Sequence, residues 1–526
     1  MSLLKNLTVF FQNLWPTAKP EDAAAPSGFM AFSHTGQVVA ARKALLAAGL
    51  SPQIKAPPPA LREGCDMVLE FPVEEQAVYL AVLAEKRLRP LKVMAADGPL
   101  TAPESLFRRV DFPGHLMVSA ANMKITITRD AGRVVNVSGG GCPDVPALAA
   151  RLVGSPITEA VDTDEFRSLC SFSLAQAKEE AERLYRAVLE PFGPERPVDS
   201  TGLDRPLPWP RRRPAPLSKP WLIVGTLADP SEKLAEAAFT WDGGRLIWNG
   251  RPVTPERGTA ALMAAYAVMA KTLGLPPGRA VLAGDDGGGE GSREGYAWLN
   301  SRIPQNQYGG LTFHYLYPDA DCHGRLFLAL EELSPRPVLA ADAGFMYVAK
   351  LCGQAAEYDL FTPDSGEMAY LADPEAPHPF YTRGALIQKE PDEETFRSAY
   401  QAGDAAKAML VKGRSDHIVW RGRVVHRVDG PQVPALEAVG GTGDTATGLA
   451  SALMAAGCSP IRAAALAAHL NRRAGWTAAP DPGGGIISVL SGLEQYLAQS
   501  SEYRQSVFVR GAKRQGGDSW PAGGSG

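Results

Sequence analysis

The chain has 526 residues, 45% of them hydrophobic, with 53 Lys+Arg set against 57 Asp+Glu. That length exceeds one ordinary core and implies about two to four domains, and a net charge of −4 gives no electrostatic reason to expect nucleic acid as a partner. Six cysteines without a CxxC spacing exclude a disulfide framework and suit a reducing, cytoplasmic setting.

In chain order, LLKNLTVFFQNLW near the start sets Leu3, Leu7, Phe10 and Leu14 on one helical face. It is too short to span a bilayer and lacks a small-residue cleavage site, so residues 1–27 are read as an amphipathic segment and linker, with no transmembrane segment. Over 28–98, apolar runs and helical patterns alternate as in a small βαββαβ-like α/β unit. Residues 99–190 hold MKITIT, the turn RDAG and RVVNVS, which predict a hairpin. The glycine run of GGGCPDVPALAARLVG then feeds a helix, and SLAQAKEEAERLYRAVL predicts another. Residues 191–220 are dense in proline, which predicts an extended, solvated spacer; Arg211, Arg212 and Arg213 within it fit a solvated charge run better than an acidic partner. From 221 to 500 the runs RAVLAG, RPVLAADAG and AMLVKG alternate with helix-like segments, the rhythm of a doubly wound α/β domain. A disordered tail is expected over 501–526.

The stretch EAVGGTGDTATG at 437–448 precedes a small-residue helix. A helix starting near Thr442 leaves its first N–H groups unpaired at the positive end of the dipole, a natural anion site. Gly441 and Gly443 let backbone approach an anion, and Thr442 adds a hydroxyl. Asp444 beside that site would repel a phosphate unless it accepts a proton from an attacking hydroxyl. The same four residues also suit a tight turn with Asp capping the helix.

These residues, with AADAG at 340–344, TPDSGEM at 362–368 and VKG at 411–413, resemble the ribokinase-like fold, and within it the ADP/ATP-dependent NAD(P)H-hydrate dehydratases. The resemblance runs from about Trp221 to Leu497 and implies a C-terminal ribokinase-like doubly wound domain preceded by small α/β units. It implies Asp444 as catalytic base, Gly441, Thr442 and Gly443 as anion hole, and Lys412 and Gly413 at the nucleotide edge. Asp342, Asp364 and Glu367 would lie near substrate or Mg²⁺. ADP or ATP with Mg²⁺ would serve phosphoryl transfer to a hydroxyl of a small-molecule substrate, followed by elimination, or retention in the kinase relatives. Asp364 stands where the dehydratases carry histidine, exchanging a ring for an anion. The early glycine-rich substrate segment of the family is replaced by LAGDDGGGEGSREGYAWL. Its Asp285 and Asp286 suit Mg²⁺ or a phosphate loop, and equally a mobile surface loop. PHPFYTRG, with His378, Tyr381 and Arg383, suits a packing loop or a lid.

At the front, the Pro-rich entry and REGCD turn resemble a small Se/S carrier-like domain, with Cys65 as candidate carrier cysteine and a sulfur or selenium donor protein as partner. Cys142, between three glycines and Pro143, is placed in the first turn of a helix, where the dipole lowers a thiol pKa and favours persulfide chemistry, a second candidate carrier cysteine. The expected activity is therefore a nucleotide-dependent, NAD(P)H-hydrate dehydratase-like enzyme fused to a carrier-like module. Two alternatives stay open: a sugar or alcohol kinase, and a sulfur or selenium carrier scaffold with a regulatory nucleotide site.

Overall fold

A computed structural model describes residues 27–57, 67–95, 106–159, 168–187, 198–205, 207–210, 214–376 and 390–500. The amphipathic N-terminal segment, Cys65, Arg211–Arg213, PHPFYTRG and the tail lie outside the described residues. The chain forms two compact units, Met1–Ser105 and Leu106–Gly526.

The first unit follows the expected βαββαβ order. It runs β1 (Ser27–Ala31), α1 (Thr35–Ala47), β2 (Gln53–Lys55), β3 (Val68–Pro72), α2 (Gln76–Glu85) and β4 (Lys92–Ala95). The strands form one antiparallel sheet in the order β2-β3-β1-β4. Phe29, Val38, Leu45, Leu69 and Leu83 are buried in this unit.

The second unit opens with a four-stranded antiparallel meander, β5 (Phe107–Phe112), β6 (His115–Ala120), β7 (Met123–Thr128) and β8 (Val134–Ser138), followed by α3 (Val145–Leu152) and α4 (Leu169–Arg186). The predicted hairpin is β7–β8.

An 11-stranded sheet follows. Its centre is parallel, in the order β13 (Gly278–Gly284), β9 (Trp221–Leu227), β14 (Gly310–His314), β15 (Val338–Asp342), β16 (Leu360–Phe361) and β17 (Ala408–Val411). Antiparallel β10 (Ala235–Asp242), β11 (Arg245–Trp248) and β12 (Arg251–Val253) extend one edge, and β18 (Asp416–Trp420) and β19 (Arg423–Val428) the other. Successive strand residues feed opposite faces: Leu222 and Val224 join one core while Ile223 joins the other. The first of these cores continues without a break into Val118, Ile125 and Leu174 of the meander and its helices. The hairpin segment set apart in the sequence is thus packed into the same unit as the large sheet.

The proline-rich spacer departs from expectation where it is described. Leu207 is buried, Trp209 packs on the second core, Asp199 pairs with Gln432, and Leu217 N–H donates to the Ala455 carbonyl. Proline composition predicted the extended backbone, but Arg473, which donates to the carbonyls of Gly202 and Arg205, ties it down.

Helices α5 (Gly258–Leu273) and α11 (Thr442–Ala455) cross so closely that a Cβ on Gly448 would overlap the Leu262 carbonyl oxygen and lie 3.1 Å from Tyr266 N. Gly448→Ala is expected to lower stability by about 1–3 kcal/mol, because helix backbones must separate. By contrast, a Cβ on Gly324, in α7 (Ala320–Glu331), meets nothing within 4 Å, so Gly324→Ala should raise stability by roughly 0.5–1 kcal/mol. Urea unfolding of both variants checks the opposite signs.

Candidate active site

The carboxyl ends of the parallel strands deliver the polar residues, as open α/β sheets do. His314 ends β14, Asp342 ends β15, Thr362 follows β16 and Lys412 follows β17. Opposite them, α11 begins at Thr442. Its N-cap, Gly441, has φ 92° and no side chain, so no side-chain cap occupies the first-turn amides. The helix of 14 residues therefore starts with uncapped amides where an anion site is expected. The Thr442 hydroxyl faces the carbonyls of Leu436 and Val439 at 3.4 Å each. Asn471 braces the first turn by donating to Thr442 O and accepting from Thr445 Oγ1.

Asp444 is buried and held at both oxygens. Oδ2 accepts from Gly258 N–H at 2.6 Å, and Oδ1 lies 3.2 Å from His314 Nε2. A carboxylate only accepts, so Nε2 carries the proton; Nδ1 faces Thr259 Oγ1 at 3.1 Å. Burial pushes the Asp444 carboxyl up, but the His314 hydrogen bond and the charges of His314, Arg257 and Lys412 win and hold it at about 2. Asp444 is consequently ionised, and it supports Gly258 rather than capping its own helix.

Lys412 Nζ sits 3.0 Å from both Asp342 oxygens, and Asp342 Oδ2 also accepts from Thr447 Oγ1 at 2.5 Å. Burial lowers the Lys412 ammonium, yet Asp342, Glu367, Asp364 and Asp444 together raise it above its ordinary value. A Cβ on Gly443 would meet Lys412 Nζ at 3.3 Å, so this ammonium stands beside the anion site. Gly413 lies just beyond, its N–H donating to Asp416 and its carbonyl accepting from Arg472.

Helix α9 (Ser365–Ala372) starts with a reciprocal capping box: Asp364 accepts from Glu367 N–H, and Glu367 accepts from Asp364 N–H. Burial and the charges of Asp364 and Asp342 push the Glu367 carboxyl well above the usual range. Structure thus brings Asp342, Asp364, Glu367, Lys412 and Asp444 into one electrostatic cluster. Asp285 and Asp286 serve their own loop instead. Asp285 accepts from the N–H groups of Gly287, Gly289 and Ser292 and from Ser292 Oγ, and Asp286 accepts from Gly288 N–H. A cavity of about 850 Å³ beside that loop is lined by Glu232, Lys233, Asp285, Asp286 and Glu290, among others, and by none of the five cluster residues.

Sequence reasoning missed the contribution of the meander. Arg257 donates to Val137 O and Gly139 O, Tyr315 Oη to Gly140 O, and Gly344 N–H to Gly141 O. Gly141 lies against Glu367, where any Cβ would collide with Oε1. Asn122 Nδ2 donates to Asp364 Oδ2, and Arg108 pairs with Glu437. Lys124 is held below its ordinary value by burial, against the pull of Glu437 and Asp364. His314 was also missed, although GLTFHYLYP ends an apolar run as VLAAD does. Ala343 (φ 57°) and Tyr315 (φ 57°) adopt left-handed backbone at these strand ends, strain of the kind that collects at functional sites.

Cys142 is not in a helical first turn. Helix α3 starts at Val145, with Pro146 rather than Pro143 in its first turn, and Cys142 is buried, its Sγ 2.7 Å from Cys170 Sγ.

His314, Asp342 and Asp444 place ligand atoms within 4.8 Å of one another. Lys412 and the His314–Asp444 hydrogen bond already satisfy them, so a resident metal there would have to displace an ammonium. The uncapped glycine turn with Lys412 fits nucleotide phosphates. With Asp364 and Glu367 engaged by Asn122 and by each other, Mg²⁺ fits as an ion carried largely by phosphate oxygens.

Three family profiles match the chain. Residues 27–95 match the putative Se/S carrier protein-like family, 106–188 a domain of unknown function (DUF8182), and 321–491 NAD(P)H-hydrate dehydratase. Protein MJ1337 of Methanocaldococcus jannaschii is 30% identical over 221 residues, 42% of this chain and 90% of its own length. The ADP-dependent (S)-NAD(P)H-hydrate dehydratase of Cenarchaeum symbiosum is 29% identical over 28% of this chain, which spans about half (47%) of that relative. Among solved structures, the ADP/ATP-dependent NAD(P)H-hydrate dehydratase of Bacillus subtilis, co-crystallised with ATP/Mg²⁺ and soaked with CoA, is 14% identical. It covers 58% of this chain and 99% of its own, with a TM-score of 0.34.

Proposed function

We propose, for a chain that belongs to one family with MJ1337 and carries an NAD(P)H-hydrate dehydratase segment at 321–491, that it repairs hydrated NAD(P)H in an ADP- or ATP-dependent reaction. The observation that carries this reading is the ionised Asp444 beside an uncapped helix N-terminus with Lys412 alongside. Asp444 accepts a hydrogen bond from the substrate hydroxyl, fixes its lone pair toward the phosphate site, and takes its proton as the new bond forms. A bound nucleotide would supply the phosphoryl group, and Mg²⁺ with it would neutralise charge. The α11 amides and Lys412 stabilise the negative charge that develops on the transferring group. A carboxyl near pH 2 is a weak base in the ground state. The hydroxyl becomes far more acidic as its oxygen bonds to phosphorus, which places proton transfer late, a pattern suited to a loose phosphoryl-transfer transition state. Departure of the phosphate, with loss of a proton from the adjacent ring carbon to solvent, then restores the ring double bond of the reduced nicotinamide.

The front unit, through Cys65, serves that enzyme as a carrier of sulfur or selenium. Incubating NAD(P)H hydrate with the protein, ADP or ATP and Mg²⁺ should restore the absorbance of the reduced nicotinamide. Loss of nucleotide phosphate into a retained phospho-product, without that absorbance, would favour the kinase reading. No turnover with intact nucleotide binding would favour the scaffold.

A further inference from the structure

The glycine loop 139–141 reaches the site from the meander, and the residue that follows it is half of a sulfur pair. Cys142 Sγ and Cys170 Sγ stand 2.7 Å apart, 28 positions apart in sequence, with both cysteines carried by the segment 106–188 that precedes the catalytic sheet. Cys170 lies in the first turn of α4, an 18-residue helix whose N-cap Ser168 is fixed by a capping box with Ser171. A Cβ on Gly140 would lie 3.3 Å from Cys170 Sγ, so loop and helix already touch. Neither sulfur takes part in the chemistry proposed above.

We propose that Cys142 and Cys170 form a reversible disulfide by exchange with a small-molecule disulfide, and that this bond fixes the glycine loop across the candidate active site. The sulfurs need to close only from 2.7 Å to about 2.05 Å, the length of the covalent bond. Cys170 is partly exposed and Cys142 is buried, so the first attack comes from Cys170. Its thiol loses a proton to solvent, and the thiolate attacks one sulfur of RSSR, forming a mixed disulfide and expelling RS⁻. Cys142, deprotonated in turn, attacks the Cys170 sulfur and expels the second RS⁻. The two protein thiols lose two electrons and two protons, and RSSR becomes two RSH. The hydrogen bond to Cys142 and burial push the Cys170 thiol well up, so exchange is slow compared with an exposed thiol and the finished bond is shielded from reductant. In a reducing compartment such a bond is a transient, regulatory one.

The loop is where such a bond acts on function. Its carbonyls are held by Arg257, Tyr315 and Gly344, and Arg257 precedes the Gly258 N–H that binds Asp444. Tethering Cys142 to α4 therefore stiffens the chain of contacts that ends on Asp444. The existence of the bond is independent of the reaction catalysed; its effect on turnover rests on the dehydratase reading.

The test equilibrates the full-length protein in a series of glutathione ratios, approached from the fully reduced and the fully oxidised side, with alkylation and peptide mapping under non-reducing conditions. A cross-linked Cys142–Cys170 peptide, lighter by two hydrogens than the paired thiols, should appear along the series and vanish on re-reduction. Cys170→Ser should abolish it. Turnover of wild type should change several-fold across the series, and Cys170→Ser should stay at its reduced level. Both cysteines labelled as free thiols at the most oxidising ratio, with folding verified by circular dichroism, would overturn the proposal; so would a cross-link unaffected by Cys170→Ser. A cross-link that forms with nucleotide affinity and turnover unchanged would overturn its second half. If no hydrate is repaired in either state, the cross-link and the redox shift of nucleotide affinity still decide the proposal, and only the dehydratase reading fails.

Discussion

Asp444→Asn is expected to lower turnover by about 10²–10⁴-fold, the usual weight of a positioned general base, while nucleotide affinity stays within a few-fold. In energy this is about 3–5 kcal/mol of transition-state stabilisation. The amide keeps the shape of the carboxylate and can still accept from Gly258 N–H, which binds Oδ2 at 2.6 Å. It cannot take a proton. Single-turnover kinetics together with titration of ADP separate the two quantities, and turnover within a few-fold of wild type would leave Asp444 as a structural acceptor only. The same group sets an acid limit. Its folded pKa, about 2, is below the ordinary aspartate value of about 3.9, so its contribution to stability is complete above that ordinary value and is lost as pH falls toward the folded one. Asp444→Asn should flatten the stability profile in that window.

The larger effect on stability belongs to Lys412→Met. The Lys412–Asp342 pair has side-chain exposures of 17% and 2%, so removing the ammonium leaves a carboxylate buried with Thr447 and the Ala343 amide as its remaining donors. Breaking a buried pair from one side typically costs about 3–5 kcal/mol. Chemical unfolding should show a loss of that size for the single variant and substantial recovery in Lys412→Met/Asp342→Asn, where no charge is stranded. Turnover should remain low in both, because the cation beside the phosphate site is gone. An unfolding midpoint unchanged by Lys412→Met would mean that Asp342 takes up a proton or another cation at little cost.

What could be read in advance was what short segments determine. Gly441 with φ 92° and the small residues after it specify the uncapped start and close crossing of α11, and strand alternation in VLAAD and AMLVKG specifies β15 and β17. CPDVP holds two prolines, and the chain starts α3 at the second, with Asp144 at the N-cap position accepting from Ser168 Oγ rather than capping the helix. Acidic residues among glycines suit a metal or phosphate loop and a surface turn equally, so the sequence left Asp285 open; in the fold three backbone amides converge on its carboxylate. Arg257, Asn122 and Gly141 carried no local signal, and the apolar run that ends at His314 marks a strand end without naming its partners. Their roles come from pairings across 55 to 242 positions, such as His314 with Thr259 and Asn122 with Asp364, which no window of sequence contains.

The bonds from Asn136 Nδ2 to the carbonyls of Pro482 and Gly484 span 346 and 348 positions. During synthesis, the meander leaves the ribosome long before its last partners exist, by an interval on the order of 20–70 s at common elongation rates. Within that interval, Val137 and Gly139 wait 120 and 118 positions for Arg257, and Gly140 waits 175 for Tyr315. Cys142 and Cys170, only 28 positions apart, can meet in the first few seconds of it. The nascent chain therefore passes through a stage in which the two thiols can meet and the cluster around Asp444 does not yet exist, so an oxidant can reach the loop before any ligand of that cluster can.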